Sequence, residues 1–557
     1  MAFNSTATMS IPIISGLTSH YENLLEQFQI IQEALVPLNL TKWQIARLLA
    51  AQAWRETPPL LRTSLLVALA GSLILAIDAY IVQPYFFSLR RLGVPELKPT
   101  NHGQRHAFDY KPMLDEAAKK YPDRPWFFTY SGFELVVFPS AYVDEVRRLG
   151  ARTASLVDFL TTVQFGGWKL IGTDDSSSTL HKTASTDLAR SVGPLGPARQ
   201  QVAREALQAV VGDAPQWKTV NLFWTVLEVV AATGAIGLVG EPLSRDPRWL
   251  RAVRTLPIFV GIGVYISCFM PRLLRPFVAT LSYTPAWLLH KYLAHLLRPS
   301  VERAIKETSE STKEGGAPKK TTLIHLLLAR YKPGGLDTTQ LIRDVITATF
   351  ESTPTTAVSL YWMLTELVLR PDLVSELRAE LQSILLPDGS LPPTQLTELT
   401  KMDSFMRESA RVNTFHYLGL NRILQHDFQF SIGPRLPKGT IICVDQDNIH
   451  NSPELYGPKP EEFDALRFYR KRQEPGQETR HQYASNGPEL LVWGDGPQVC
   501  PGRVFATNTM KILLAELLLN YDLQMPAGAY KPERSSFPNG SSQPDMATQL
   551  MVRRRVK

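Results

Sequence analysis

Residues Trp493 to Arg503 read Trp-Gly-Asp-Gly-Pro-Gln-Val-Cys-Pro-Gly-Arg, and the run VFATNTMKILLAELLL follows at once from Val504. The run has the apolar periodicity of a buried helix, and the glycines and prolines before it force a tight loop in which the backbone approaches its neighbours closely. Cys500 therefore sits just ahead of a helix N-terminus, where the helix dipole favours the thiolate over the thiol. A thiolate so placed can ligate a metal. The other two cysteines, Cys268 and Cys443, have no such loop and read as buried structural thiols. Three cysteines cannot form a disulfide framework, no Cys/His cluster suggests zinc, and the bulk of the chain is expected to face a reducing compartment.

Upstream of the loop, Glu408-Ser-Ala-Arg411 puts a carboxylate and a guanidinium one turn apart on one helix face. Arg467 follows in FDALRF. Further upstream, DVITATFESTPTTAVSLYWMLTELVL, Asp344 to Leu369, is long enough for a central helix with a proline in its middle. Pro354 cannot donate to the carbonyl of Phe350, so a kink is expected there, with a free acceptor beside Thr353, Thr355 and Thr356.

Taken together, these segments resemble the cytochrome P-450 superfamily over roughly residues 100–557. Trp493, Gly496, Cys500 and Gly502 match its heme-binding loop, Glu408 and Arg411 its Glu-x-x-Arg pair, and Arg467 the arginine that completes a Glu/Arg/Arg network behind that loop. The resemblance implies heme b with Cys500 as axial ligand of the iron, whose proximal thiolate favours O–O cleavage. It also implies a structural role for the network, which must be fully paired if it is buried. One position departs from the pattern. Gln498 stands where the family has Arg or His against a heme propionate, so anchoring shifts to Arg422, in Arg422-x-x-x-x-Asp427, and to His181 with Lys182.

Counting back from Arg370-Pro371, the family's acid–threonine pair falls on Pro354 and Thr355, so the usual acid is missing. Glu351, four residues before Thr355, is the substitute in one register, relaying protons through water to the hydroxyl. In the other register, Glu351-Ser352 is itself the pair. Phe350 and the run Phe415-His416-Tyr417 are candidates for lining an apolar substrate pocket.

The fold class expected is mainly α with small β-sheets. Short alternating runs, FFTYSGFELVVF and TIICVD, read as strands, whereas DLARSVGPLG, VNLFWTVLEVVAATGAIGLV and PDLVSELRAELQSIL read as helices, and Glu307 to Thr321 as a mobile loop. The run LPIFVGIGVYISCFM, Leu256 to Met270, reads as a core helix. From Ser64 to Val82 the chain is apolar apart from Asp78, long enough to cross a bilayer core of roughly 30 Å. The organisation expected is an extension over 1–62, a transmembrane anchor over 63–85, a linker over 86–105 and a catalytic domain over 106–557. Sequons at Asn4 and Asn39 would carry glycans if the extension is luminal.

The net charge of +7 and the pI near 9.1 come from scattered Lys and Arg with no stripe of the kind nucleic acid requires. No flavin or nicotinamide fingerprint occurs, so electrons must come from another protein. The resemblance makes that the NADPH-cytochrome P-450 reductase, with cytochrome b5 as a second candidate partner, at the endoplasmic reticulum membrane with the catalytic domain cytosolic. Other runs, including VGEPLSRDPRWL, resemble fungal members that oxidise hydrophobic terpenoid, meroterpenoid, indole-diterpenoid or polyketide metabolites. Two other functions fit the same sequence: a heme-thiolate isomerase or dehydratase that needs no reductase, which the missing acid brings to mind, and a non-catalytic heme-binding protein.

Overall fold

The computed structural model describes residues 41–78, 80–82, 88–98, 110–130, 133–165, 178–270, 273–313, 322–331, 337–392, 394–532, 534–536 and 541–556. The sequons at Asn4 and Asn39 lie outside them. The chain divides into two units, Met1–Phe87 and Ser88–Lys557.

The first unit contains α1 (Lys42–Glu56) and α2 (Pro59–Ile77). Pro59 suits the first turn of α2, where its missing N–H has no partner to lose. No residue of α2 is buried, although it is apolar on all sides. Pro59–Val82 is thus a candidate membrane span, with mean hydropathy 2.3.

The second unit opens with α3 (Lys111–Lys120), the hairpin of β1 (Trp126–Tyr130) and β2 (Phe133–Phe138), the short α4 (Val143–Arg147) and the two-residue β3 (Ala154–Ser155). A helical middle follows: α5 (Gly196–Val211), a strand β4 (Lys218–Asn221), α6 (Leu222–Leu238), α7 (Pro247–Cys268), α8 (Arg275–Lys313), the central α9 (Thr338–Val368), α10 (Pro371–Ile384) and α11 (Thr400–Val412). The last part holds β5 (Leu418–Leu424), β6 (Ile441–Asp445), α12 (Arg503–Asn520), β7 (Tyr521–Gln524), β8 (Ser535–Ser536), β9 (Ser542–Gln543) and β10 (Gln549–Arg554). The larger sheet has the order β1-β2-β6-β5-β3, with β2 and β6 parallel; a second has the order β4-β10-β7, and β8 pairs with β9.

Sequence chemistry explains the elements that matter for the site. The Asp337 side chain accepts the N–H groups of Thr339 and Gln340, so α9 starts at Thr338 rather than at Asp344. Helix α6 is apolar on nearly every face because nearly every face is buried. Helix α7 has Leu256, Val260 and Val264 inside, while Ile258, Ile262 and Tyr265 are exposed, so the expected core helix is covered on one face only.

Four expectations change. Residues 88–98, read as linker, belong to the folded unit: Leu89, Val94 and Leu97 are buried, and Leu97 and Phe127 exchange main-chain bonds with the neighbouring segment at 2.9 Å. The helix expected over 187–196 stops at Ser191 and restarts at Gly196, because Pro194 disfavours helical backbone in the residue before it. Val220 and Asn221, read as the start of a helix, end β4 instead, and the Asn221 side chain caps α6. Glu307–Lys313, read as loop, is the end of α8, while 314–321 lies outside the described residues.

Candidate active site

The cysteine loop is shaped by its glycines. Gly494 and Gly496 have φ of +67° and +69°, and a Cβ on Gly496 would lie 1.9 Å from the Arg147 carbonyl oxygen. The Gly494 N–H donates to the Leu491 carbonyl and the Cys500 N–H to the Trp493 carbonyl, both at 2.8 Å. Asp495, 2% exposed, ties the loop inward: its carboxylate accepts from Asn486 Nδ2 at 2.5 Å, from its neighbour's Gly496 N–H at 2.8 Å and from Arg147 Nη1 at 3.1 Å.

Burial pushes the Cys500 thiol up to about 11, and the charge of Glu351 adds to the rise, against the pull of the Gly502 and Arg503 main chain and the Arg503 charge. A coordinated cation reverses that balance, since a coordinating thiol loses its proton. The site therefore fits a heme iron: a single sulfur presented by a tight glycine turn just ahead of the N-terminus of α12.

Behind the loop, Glu408, Arg411 and Arg467 come together. Arg411 makes a two-pronged contact with the Glu408 carboxylate at 2.7 and 2.9 Å, and Arg467 Nε reaches both carboxylate oxygens at 3.2 Å. The spare N–H groups go to carbonyls, Arg411 Nη1 to His450 at 2.6 Å and Arg467 Nη1 to Tyr456 at 2.5 Å. His450 carries the connection onward, because its Nε2 accepts the Leu491 N–H at 3.1 Å.

The residues expected near the propionates are placed differently from one another. Gln498 accepts the Leu156 N–H at 2.9 Å and donates to the carbonyls of Leu149 and Ala154 at 3.1 and 2.9 Å. Its amide bridges main chain. Arg422, buried, donates to the carbonyls of Val146 and Leu149 at 2.8 and 2.6 Å and to that of Asp495 at 3.3 Å. Its guanidinium is thus engaged in tying α4 and the cysteine loop to β5, and burial lowers it to about 10. His181 and Lys182 are exposed. Partial burial and the charge of Arg503 lower the His181 imidazole, which places it on the side of the cysteine loop.

On α9, Glu351 and Thr355 are both exposed and share one face, and Thr355 Oγ1 donates to the Glu351 carbonyl at 2.8 Å. Burial nonetheless pushes the Glu351 carboxyl up to about 7, so its accessible surface faces an interior space. Ser352, the hydroxyl of the alternative register, is half-buried and donates to the Thr349 carbonyl at 3.2 Å. Thr353 donates to the same carbonyl at 2.8 Å.

The aromatic candidates separate. Phe350 and Phe415 are half-buried, each packed on a core cluster to which α9 contributes. Tyr417 is 4% exposed in the core between α3 and the larger sheet, so it does not line an open space. The chain bends at Phe415 and again at Tyr417, which leaves His416, like Phe415, half-buried. Its ring meets Phe415 edge-on at 4.5 Å, has no hydrogen-bond partner among the described residues, and is lowered to about 4 by burial. Sequence reasoning missed the roles of Asp495 and His450; of these only Asp495 had a signal, as the acidic residue inside the glycine loop.

Comparison with known proteins matches residues 254–551 to the family model described as Cytochrome P-450. The chain is 40% identical over 543 residues to a cytochrome P-450 monooxygenase of Aspergillus flavipes, ffsD, covering 96% of this chain and 99% of that protein. It is 35% identical over 538 residues to the pyrichalasin C-18 hydroxylase of Pyricularia grisea, covering 96% and 98%. Among solved structures, the cytochrome P-450DA heme domain superposes with a TM-score of 0.62 at 17% identity, covering 83% of this chain and 97% of that one.

Proposed function

The chain belongs to the cytochrome P-450 family as a monooxygenase with heme b and NADPH-derived electrons from a reductase, and on that premise we propose that the Cys500 sulfur would hold the heme iron in the oxidation of a hydrophobic secondary metabolite. The observation that carries the assignment is the tight glycine turn that holds Cys500 just ahead of α12, with Gly494 and Gly496 at positive φ and the Cys500 N–H donating to the Trp493 carbonyl at 2.8 Å. When bound, heme supplies the activation of oxygen, one atom entering the substrate and the other leaving as water, with the thiolate favouring O–O cleavage.

The chain's own residues do the rest. Glu408, Arg411 and Arg467 form a closed ionic network, and His450 links it to Leu491, which fixes the base of the cysteine loop. Glu351 holds a proton at its carboxyl near neutral pH and passes it, through water, toward the Thr355 hydroxyl. Gln498 and Arg422 stabilise the surrounding main chain, which leaves Lys182 as the cationic candidate for the propionates and His181 as a neutral hydrogen-bond donor beside it. Trp493, Gly496 and Gly502 shape the loop around the ligand.

The substrate proposed is a metabolite of the pyrichalasin kind, hydroxylated at carbon, because a relative matched along nearly its whole length carries that name. Phe350 and Phe415 supply apolar wall. Cytochrome b5 and membrane lipid are further proposed partners, and residence in the endoplasmic reticulum membrane rests on the candidate span Pro59–Val82. The test is the carbon monoxide difference spectrum of dithionite-reduced microsomes carrying the full chain. A Soret band typical of thiolate-ligated ferrous heme, absent in Cys500→Ser, is expected; a heme-loaded wild type without it would refute the ligand assignment. Product formation that persists without NADPH would favour an isomerase.

A further inference from the structure

The run after the Glu/Arg helix carries a polar ring that the chemistry above leaves unused. His416 is held through its main chain from two sides. Its carbonyl accepts from Thr414 Oγ1 at 3.0 Å and from Gln446 Nε2 at 3.1 Å, and Gln446 Nε2 also reaches Thr414 Oγ1 at 2.7 Å. On the other side His416 forms an antiparallel bridge with Ser541, next to β9, and the Ser542 N–H donates to the Phe415 carbonyl at 2.7 Å. A backbone fixed in this way leaves the imidazole little freedom, and the Phe415 ring meets it edge-on at 4.5 Å.

The residues around the ring are closed off. Thr414, Tyr417, Gln446, Ser541 and Ser542 are all buried, whereas His416 keeps accessible surface. That surface opens onto the interior, because burial lowers the imidazole to about 4 and so keeps it neutral. Phe415 packs on the core cluster that contains the second half of α9 and also receives Trp493 of the cysteine loop, so the opening lies on the side of the candidate active site. An imidazole with no hydrogen-bond partner among the described residues costs stability there that a leucine would not. The neutral ring offers one N–H donor and one bare nitrogen.

We propose that His416 is a specificity-determining residue that donates its ring N–H to a carbonyl oxygen on an otherwise apolar substrate, whose skeleton packs on Phe415. The inference rests on the monooxygenase reading above and names the polar group that its substrate carries. A molecule of the same shape without the oxygen leaves the imidazole unpaired, so the site's own polar group selects against it.

The test uses the full chain, heme-loaded, as wild type, His416→Leu and His416→Gln. Two probes share one apolar ring skeleton, cyclododecanone with a carbonyl and cyclododecane without. Dissociation constants are read from the ligand-induced Soret shift, and thermal midpoints of the ligand-free proteins are recorded beside them. The ratio of the cyclododecane constant to the cyclododecanone constant is expected to fall roughly fivefold in His416→Leu, about the factor one hydrogen bond is worth. It should fall less in His416→Gln, which keeps an N–H donor. The ligand-free midpoint of His416→Leu should equal or exceed that of wild type. A ratio unchanged in His416→Leu overturns the proposal, whether both probes bind as before or both weaken equally, and so does a wild type that binds neither probe. Should His416→Leu not fold, His416→Phe is read in its place, and lowered midpoints in both would show that the ring holds the fold together and overturn the proposal too. Failure of the underlying reading shows separately, as a heme-loaded wild type without the thiolate-type carbon monoxide band.

Discussion

His450 Nε2 accepts the main-chain N–H of Leu491 at 3.1 Å, which makes one imidazole the mechanical link between the Glu/Arg/Arg network and the cysteine loop. Burial lowers the His450 imidazole to about 3, helped by the charges of Arg411 and Arg407, so the ring is neutral and able to accept. A group whose folded value is depressed contributes stability above its unfolded value of about 6.5, and that contribution fades as pH falls toward 3. The wild type should therefore destabilise steeply between pH 6.5 and 3. His450→Gln, which keeps an acceptor, should be less stable at pH 7 but lose less on acidification. Denaturation midpoints across that range check it, and parallel curves for the two proteins would refute it.

Glu408 is fully buried between two guanidinium groups, so Glu408→Gln leaves a cationic pair with no anion. A loss of about 3–5 kcal/mol is expected, most of a typical domain's stability. The readout is the yield of heme-loaded protein and its urea midpoint; a loss under about 1 kcal/mol would contradict a closed network.

Burial raises Glu351 to about 7, so a growing fraction is ionised as pH climbs through neutrality. This carboxyl favours the fold fully below its ordinary value near 4.5, and the preference is lost as pH rises through 7. If the protonated form delivers protons, turnover of the wild type should fall between pH 6 and 8, and Glu351→Gln should be slow and flat over that range. A pH profile in the variant identical to wild type would remove Glu351 from the reaction.

Gly496 and Gly502 flank Cys500 but differ in the room around them. Gly496→Ala combines a left-handed φ of +69° with a Cβ 1.9 Å from the Arg147 carbonyl, whereas a Cβ on Gly502 meets no atom within 4 Å. Gly496→Ala should abolish the thiolate-type carbon monoxide spectrum by displacing α4 or the loop. Gly502→Ala should leave the thermal stability of the polypeptide unchanged, and equal destabilisation by both would show that the loop yields elsewhere.

Gln498 satisfies one main-chain N–H and two carbonyls, a set that needs both an acceptor and a donor. Gln498→Arg brings the charge usual in the family but cannot accept from Leu156, so it should cost about 1–3 kcal/mol and not improve heme retention. Thermal denaturation with heme release as a second signal checks both halves; a gain in both would mean the main-chain bridge is dispensable.

The cysteine loop and the Glu-x-x-Arg helix were legible because a few neighbouring residues carry them: glycines at φ values few other residues adopt, and a carboxylate one turn from an arginine. Long-range pairing was not. Gln498 and Arg422 were expected at propionates, yet both are engaged with carbonyls between residues 146 and 156, which no local pattern announces. Tyr417 was misplaced for a simpler reason, since the chain bends on either side of His416 and the second bend sends Tyr417 into the core beside the larger sheet. The folded role of residues 88–98 hid behind Pro95, which reads as a linker residue but lends its carbonyl to Phe127.

The parallel pairing of β2 with β6 sets Val137 beside Cys443, about 300 residues later in the chain. No local step can form it: the ends of a very long loop must meet first, and chains dominated by such contacts fold slowly. During synthesis, β2 waits with Leu135, Val136 and Val137 uncovered until nearly four-fifths of the polypeptide has been made. That nascent hairpin is an exposed apolar edge of the kind that aggregates, so recombinant yield will depend more on protecting it during translation than on the stability of the finished enzyme.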